Sequence, residues 1–135
     1  MRILIIEDEE PASSRLKKLI LEAEPTAQIL DVIVSIKSTI EWFRTHESPE
    51  LIFMDINLSD GNSFEIFEKI DIEIPIIFTT AYDQYSIKAF EVNSVEYLLK
   101  PINKEQLKNA IIKFDRNVID PFSALFEMAG LRLDS

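Results

Sequence analysis

Residues 51–55 read Leu-Ile-Phe-Met-Asp, an unbroken apolar run that stops at a carboxylate. A strand with one solvent-exposed face would alternate apolar and polar residues, so a uniform run predicts a strand buried on both faces. Such strands are typical of parallel sheets that carry helices on each side. The stretch therefore predicts an α/β fold, and it places Asp55 where a buried strand ends.

Three further apolar runs also stop at polar residues. In chain order they are residues 2–6 before Glu7-Asp8, residues 74–78 before Thr79-Thr80, and residues 95–99 before Lys100. The carboxyl ends of parallel strands lie along one edge of their sheet, and ligands bind at that edge. We therefore expect the polar residues at all four strand ends to converge on one pocket.

Helical patterns lie between the apolar runs, so that strand and helix alternate five times. The order predicts parallel strands in a doubly wound sheet with helices on both faces, because crossovers are right-handed. A second strand is predicted over residues 28–34. The predicted helices, with their inward residues, are 11–23, 36–43 (Ile36, Ile40, Phe43), 63–70 (Phe64, Phe67, Ile70), 83–92, and one opened by Asn103 (Leu107, Ala110, Ile111, Phe114).

The composition excludes several classes of protein. The 135 residues fit one domain, and a net charge of −10 argues against nucleic-acid binding by this segment. No apolar run is long enough to span a membrane, and the N-terminus lacks a signal-peptide pattern, which predicts a cytoplasmic protein. The absence of cysteine excludes disulfides and thiolate metal sites.

The residues at the strand ends suit phosphoryl chemistry. Asp8 and Asp55 could supply the hard oxygen ligands that Mg²⁺ prefers. An aspartate carboxylate can also attack a phosphoryl donor and become an acyl phosphate. The Thr80 hydroxyl and the Lys100 ammonium would then help to neutralise the phosphoryl oxygens. The pocket is therefore predicted to bind a divalent cation and to accept a phosphoryl group.

These residues carry a family resemblance. Over residues 1–117 the chain resembles the response-regulator receiver domains of two-component signalling. The matching motifs are the acidic pair Glu7-Asp8, the strand-end Asp55, Asn57 two residues on, Thr80-Ala81 and Lys100-Pro101. The resemblance implies a flavodoxin-like sheet of five strands in the order 2-1-3-4-5.

The resemblance also implies a role for each site residue. Asp55 would accept the phosphoryl group from a sensor histidine kinase, with Thr80 and Lys100 assisting. Mg²⁺, or Mn²⁺ in its place, would be held by Asp8, Asp55, the backbone carbonyl of Asn57 and, through a water molecule, Glu7. Pro101 would follow a cis peptide bond, a geometry that X–Pro bonds tolerate.

Tyr97 matches the family's aromatic switch position, three residues before the lysine. On phosphorylation the Thr80 hydroxyl would move towards the phosphoryl group, and Tyr97 would rotate into the vacated space. The change would be read on the surface formed by the fourth helix, fifth strand and fifth helix, which could also mediate a homodimer. The resemblance thus implies a switch that acts on an output domain or partner, without releasing an external product.

Residues 78–90 and 97–101 are most similar to receivers that precede LytTR-type DNA-binding domains, which implies transcriptional output. Residues 118–135 lie beyond the receiver match. Their pattern predicts a short amphipathic helix that packs on its own domain, forms a dimer contact or begins a linker.

The chain departs from the family pattern at two places. Glu7 stands where aspartate is commoner, which could change the affinity for the metal without removing the site. Ser59-Asp60-Gly61 replaces the usual proline-containing loop, and we expect that loop to be more mobile.

The residues around Asp55 also invite three rival interpretations. An EF-hand at residues 55–66 fails because glycine stands seventh and Ile66 occupies the position of the final glutamate. An aspartate-nucleophile phosphatase of the haloacid-dehalogenase type expects a second acid where this chain has Asn57. A structural module that no longer accepts phosphate is disfavoured by the presence of Asp8, Asp55, Thr80 and Lys100 together.

Overall fold

A five-stranded parallel sheet forms the centre of the protein. The structure is a computed structural model that describes the backbone of residues 1–81 and 94–119 and the side chains of residues 1–81 and 96–115. The strands are β1 (Arg2–Ile6), β2 (Gln28–Ile33), β3 (Leu51–Asp55), β4 (Ile76–Thr80) and β5 (Ser94–Leu99). Their order is β2-β1-β3-β4-β5, and every neighbouring pair is parallel. The predicted fold class and strand order are confirmed.

Helices cover both faces of this sheet. They are α1 (Glu10–Ala23), α2 (Ile36–Thr45), α3 (Glu65–Lys69) and helix 104–119 (Lys104–Ile119). The predicted helix 83–92 lies outside the described residues, as do residues 120–135 of the predicted tail. Helix 104–119 extends two residues past the predicted domain end at residue 117. Within the described ranges, no helix is both long and apolar enough to cross a membrane.

The alternation of side chains along β1 shows how the two faces are filled. Ile3 and Ile5 pack in one cluster with residues of α1 and helix 104–119, such as Leu16 and Leu107. Leu4 and Ile6 pack in the opposite cluster with residues of α2 and α3. Residues 3–6 are fully buried, as a strand between two helical layers must be. The layers hold β1 and β3 rigidly, which fixes the positions of the polar residues that follow them.

Side-chain caps mark the N-termini of two helices. The Ser35 side chain accepts a hydrogen bond from the Ser38 amide at the start of α2. Asn103 Oδ1 accepts from the amides of Glu105 and Gln106 and so caps helix 104–119, as its sequence position suggested. The predicted inward face of that helix is confirmed, since its four residues are buried.

Two predicted helix faces do pack against the core, and each also includes a more deeply buried residue that the sequence analysis had not named. In α2 the buried aromatic is Trp42, which stacks on His46 with ring centroids 4.5 Å apart, whereas Phe43 is only partly buried. In α3 the fully buried residue is Ile66, while Phe64 and Phe67 pack partly exposed against the same cluster. The helix is also shorter than predicted, since a turn held by Asn62 Oδ1 and the Phe64 amide precedes it.

The loop after β3 is anchored to α2. Residues Asn57–Leu58 and Gly61–Asn62 pair as a small antiparallel hairpin, and Gly61 has φ of +140°, a value that L side chains rarely adopt. The Asp60 carboxylate accepts from the Ile36 amide at 3.0 Å and the Lys37 amide at 3.3 Å. These contacts add a second cap to α2, and the mobility of the loop stays a prediction.

Replacing Asp60 with alanine is expected to lower the free energy of unfolding by about 1 kcal/mol, the usual cost of a lost helix cap. The reason is that the first amides of α2 would lose a charged acceptor. Urea unfolding of the variant beside Asp71→Ala, which removes an exposed carboxylate, would measure it. Equal midpoints for the two variants would show that the Asp60 contact contributes nothing.

Candidate functional site

The strand ends do bring the predicted polar residues to one edge of the sheet. Glu7 and Asp8 follow β1, Asp55 ends β3, Thr80 ends β4 and Lys100 follows β5. Backbone hydrogen bonds fasten the edge, since the Lys100 amide donates to the Thr80 carbonyl at 2.8 Å. The convergence expected from the four apolar runs is therefore present in the fold.

Lys100 links two of the acids directly. Its ammonium Nζ lies 2.6 Å from Glu7 Oε1 and 2.9 Å from Asp55 Oδ2. Both carboxylates are buried, while about a fifth of the Lys100 side chain is exposed. The sequence placed these residues in one pocket but gave no sign that Glu7 would pair with the lysine.

The remaining oxygens of these two acids accept from the backbone. Asp55 Oδ1 accepts from the Asn57 amide at 3.1 Å, and Glu7 Oε2 accepts from the Glu9 amide at 3.2 Å. Asp55 is thereby oriented by an amide on one oxygen and an ammonium on the other. Such charge-assisted contacts fix a carboxylate more firmly than neutral hydrogen bonds do.

Three carboxylates could hold a metal ion. One oxygen from each of Glu7, Asp8 and Asp55 lies within 4.8 Å of the others, and Asp8 is half-buried. Hard oxygen donors at this spacing fit Mg²⁺, which is bound through one or two carboxylates with water filling its other positions. The three carboxylates therefore suit the predicted cation. Coordination of the cation by the backbone carbonyl of Asn57 stays a prediction.

Burial and charge perturb the two groups that pair. Burial raises the pKa of Glu7 to about 7 from 4.5, assisted by the nearby Asp55 charge and opposed by the hydrogen bond from Lys100. For Lys100, burial lowers the pKa, but hydrogen bonds to Glu7 and Asp55 outweigh it and hold the pKa above its ordinary value. The lysine is therefore charged, and Glu7 binds a proton more readily in the folded protein than in water.

Glu7→Gln is expected to change how stability depends on pH in metal-free protein. A raised folded-state pKa favours folding below the unfolded value of 4.5, and this contribution is lost as the pH rises through about 7. Relative to the variant, the wild type should lose on the order of 3 kcal/mol across that window. Urea unfolding in a chelator at a series of pH values would measure the difference; a difference independent of pH would contradict it.

The other predicted residues lie around this cluster. Thr80 is fully buried at the end of β4, and Tyr97 is half-buried on β5, packed against the α2–α3 face. The Lys100–Pro101 peptide bond is cis, the geometry that the resemblance implied. Thr79 was not singled out in the sequence, yet its buried hydroxyl has no hydrogen-bond partner among the described residues.

A hollow adjoins the acid cluster on the side of α1. Its volume is about 300 Å³, and Glu7 and Asp8 form part of its wall. The other lining residues are Glu10, Ser13, Ser14, Lys17, Val32 and Val34. The acids are therefore approached beside α1, and no sequence pattern had indicated this opening.

Comparisons with known proteins agree with the geometry. Residues 3–112 match the model of the response regulator receiver domain family. The sensory transduction protein LytT of Bacillus cereus is 32% identical over 133 residues, covering 96% of this chain and 53% of that protein. The transcriptional regulatory protein LytR of Staphylococcus aureus strain N315 is 38% identical over 116 residues, covering 84% and 46%. The chain thus spans about half the length of these relatives.

A solved structure supports the same fold. The response regulatory domain of protein mrkE from Klebsiella pneumoniae superposes with a TM-score of 0.77 at 24% identity, covering 87% of this chain and 97% of that one. The predicted resemblance to receivers of LytTR-type regulators is confirmed by the similarity to LytT and LytR.

Proposed function

The chain belongs to the response regulator receiver domain family, and from this premise we propose that it is a phosphorylation-activated switch with Asp55 as its acceptor. The observation that carries the proposal is the position of Asp55. It is buried at a strand end, held by Lys100 and the Asn57 amide, and it lies within reach of two further acids. A carboxylate fixed in this way can act as a nucleophile whose attack depends on positioning.

In the proposed reaction an oxygen of Asp55 forms a bond to phosphorus while the bond from phosphorus to the donor breaks. The donor atom, a histidine nitrogen of a sensor kinase or the acetate oxygen of acetyl phosphate, leaves with the electron pair. The product is an acyl phosphate that water later hydrolyses, which restores the carboxylate. Asp8 and Asp55 would hold the cation, with Glu7 beside them, and Mg²⁺ when bound would neutralise phosphoryl charge.

Lys100 and Thr80 would carry the signal away from Asp55. The Lys100 ammonium already contacts Asp55, and its backbone amide binds the Thr80 carbonyl. A phosphoryl group on Asp55 would add acceptor oxygens and negative charge beside both residues. This local change would bias Thr80 and Tyr97 between two packed arrangements.

The surface that would report the change includes β5 and helix 104–119. Leu99 and Ile112 are large apolar residues on these elements, each 44% exposed. A homodimer partner or an output domain that bound this surface would cover them. We extend the proposal to transcriptional output, which is supported by the similarity to the transcriptional regulatory protein LytR. The cytoplasmic location and the kinase remain predictions.

Incubation with acetyl phosphate and Mg²⁺, followed by intact mass measurement, tests the proposal. The expected result is a gain of one phosphoryl group with Mg²⁺ and none with a chelator. Release of phosphate from a panel of small phosphoesters, without a labelled protein, would favour the phosphatase alternative. A protein unmodified under all conditions would favour the structural module.

A further inference from the structure

The ion pair between Lys100 and Glu7 is shorter and more buried than the described ion pairs that lie outside the site. Its distance of 2.6 Å compares with 3.5 Å for Arg2–Glu50 and 3.3 Å for Lys104–Glu22. Those pairs lie at the surface, whereas the Glu7 side chain is 2% exposed. A buried carboxylate that is taken out of water depends on its partner far more than a surface one does.

Both oxygens of Glu7 are occupied within the protein. Oε1 faces the Lys100 ammonium and Oε2 accepts from the Glu9 amide. The ammonium lies nearer to Glu7 than to Asp55, at 2.6 Å against 2.9 Å. In the metal-free protein, Glu7 therefore acts as the nearer of two anchors for Lys100.

We propose that Glu7 is a positioning residue that acts through Lys100. By holding the ammonium among the carboxylates, it makes Lys100 an internal counter-cation with which Mg²⁺ has to compete. The length of the Glu7 side chain thereby sets the Mg²⁺ affinity of the site. This inference rests on the proposed function, because it concerns the cation of the same site.

The length of the side chain can be separated from its charge. Glu7→Asp keeps the carboxylate but withdraws it by one carbon–carbon bond, about 1.5 Å. A contact of 2.6 Å would then exceed hydrogen-bond distance unless the backbone shifted. The variant should remove the nearer of the two anchors of Lys100 and leave only Asp55 to hold it, while the charge around the cation stays the same.

A double-mutant cycle in Mg²⁺ affinity tests the proposal. Calorimetric titration with Mg²⁺ alone would compare wild type, Glu7→Asp, Lys100→Met and the double variant. Glu7→Asp should tighten binding on the order of tenfold when Lys100 is present, as expected for a weakened close charge pair. In the Lys100→Met background the same change should have no effect, since no ammonium remains to be released.

The matched control is Glu10→Asp, which shortens a glutamate that lines the hollow. Glu10 makes no described hydrogen bond to Lys100, so the Mg²⁺ affinity of this variant should equal that of the wild type. An equal effect of Glu7→Asp in both backgrounds would overturn the inference and make Glu7 a direct or water-mediated ligand. Weaker binding by Glu7→Asp with Lys100 present would overturn it too. If none of the proteins binds Mg²⁺, both the inference and the cation of the proposed function fail. If the effects of Glu7→Asp and Lys100→Met on Mg²⁺ affinity are additive while acetyl phosphate still labels Asp55, only the inference fails.

Discussion

Asp55→Asn is expected to abolish the gain of a phosphoryl group from acetyl phosphate while leaving the protein folded. The amide keeps the size of the side chain and an oxygen that can accept from the Asn57 amide, but it lacks the nucleophilic carboxylate. Intact mass after incubation with Mg²⁺ and acetyl phosphate measures the loss, and urea unfolding checks the fold.

The control for this experiment is Asp60→Asn, the same chemical change in the loop that follows β3. Asp60 caps α2 and does not belong to the acid cluster, so its variant should be labelled like the wild type. Undiminished labelling of Asp55→Asn would place the acceptor elsewhere and remove the basis of the proposed function.

The second large effect concerns Lys100→Ala, which should separate phosphorylation from the structural response. The variant retains Asp55, Asp8 and Glu7, so labelling should persist in Mg²⁺. Labelling should leave its amide resonances at Thr80 and Tyr97 unshifted, because the side-chain contact that links Asp55 to β5 is lost. Two-dimensional amide spectra before and after acetyl phosphate would show this.

These spectra need Mg²⁺ throughout, because removing the ammonium leaves two buried carboxylates without their partner. Lys104→Ala is the matched control, since it removes a lysine whose contact with Glu22 lies at the surface. That variant should respond like the wild type. A full response from Lys100→Ala would assign the coupling to other residues.

Much of this site follows from sequence because its residues sit at the ends of apolar runs. A uniform run such as residues 51–54 predicts a strand covered on both faces, and parallel strands share a carboxyl edge. The strand order was implied by the family resemblance and not by the pattern itself. The cap at Asn103 rests on a local signal like that of the apolar runs. Rules of this kind depend on the neighbouring residues alone, so they need no knowledge of distances between elements.

The features that the sequence did not predict depend on those distances. Glu7 and Lys100 are 93 residues apart and follow strands that are not neighbours in the sheet, so their contact depends on how far the two side chains reach across its edge. Asp60 binds the amides of α2 across 24 residues, and nothing in the Ser59-Asp60-Gly61 turn indicates that partner. Trp42 replaced Phe43 as the buried aromatic because helix rotation is set by packing, which spacing fixes only to within a residue or so.

The central claim is that chemistry at Asp55 repacks Thr80 and Tyr97. It is tested most directly by two-dimensional amide spectra of the wild type with Mg²⁺ and beryllofluoride, a mimic of the acyl phosphate. We predict that the resonances of Asp55, Thr80, Tyr97 and Lys100 shift together, only when Mg²⁺ and beryllofluoride are both present, and that Asp55→Asn shows no such shift. Spectra in which Thr80 and Tyr97 do not move, although Asp55 binds the mimic, would contradict the account.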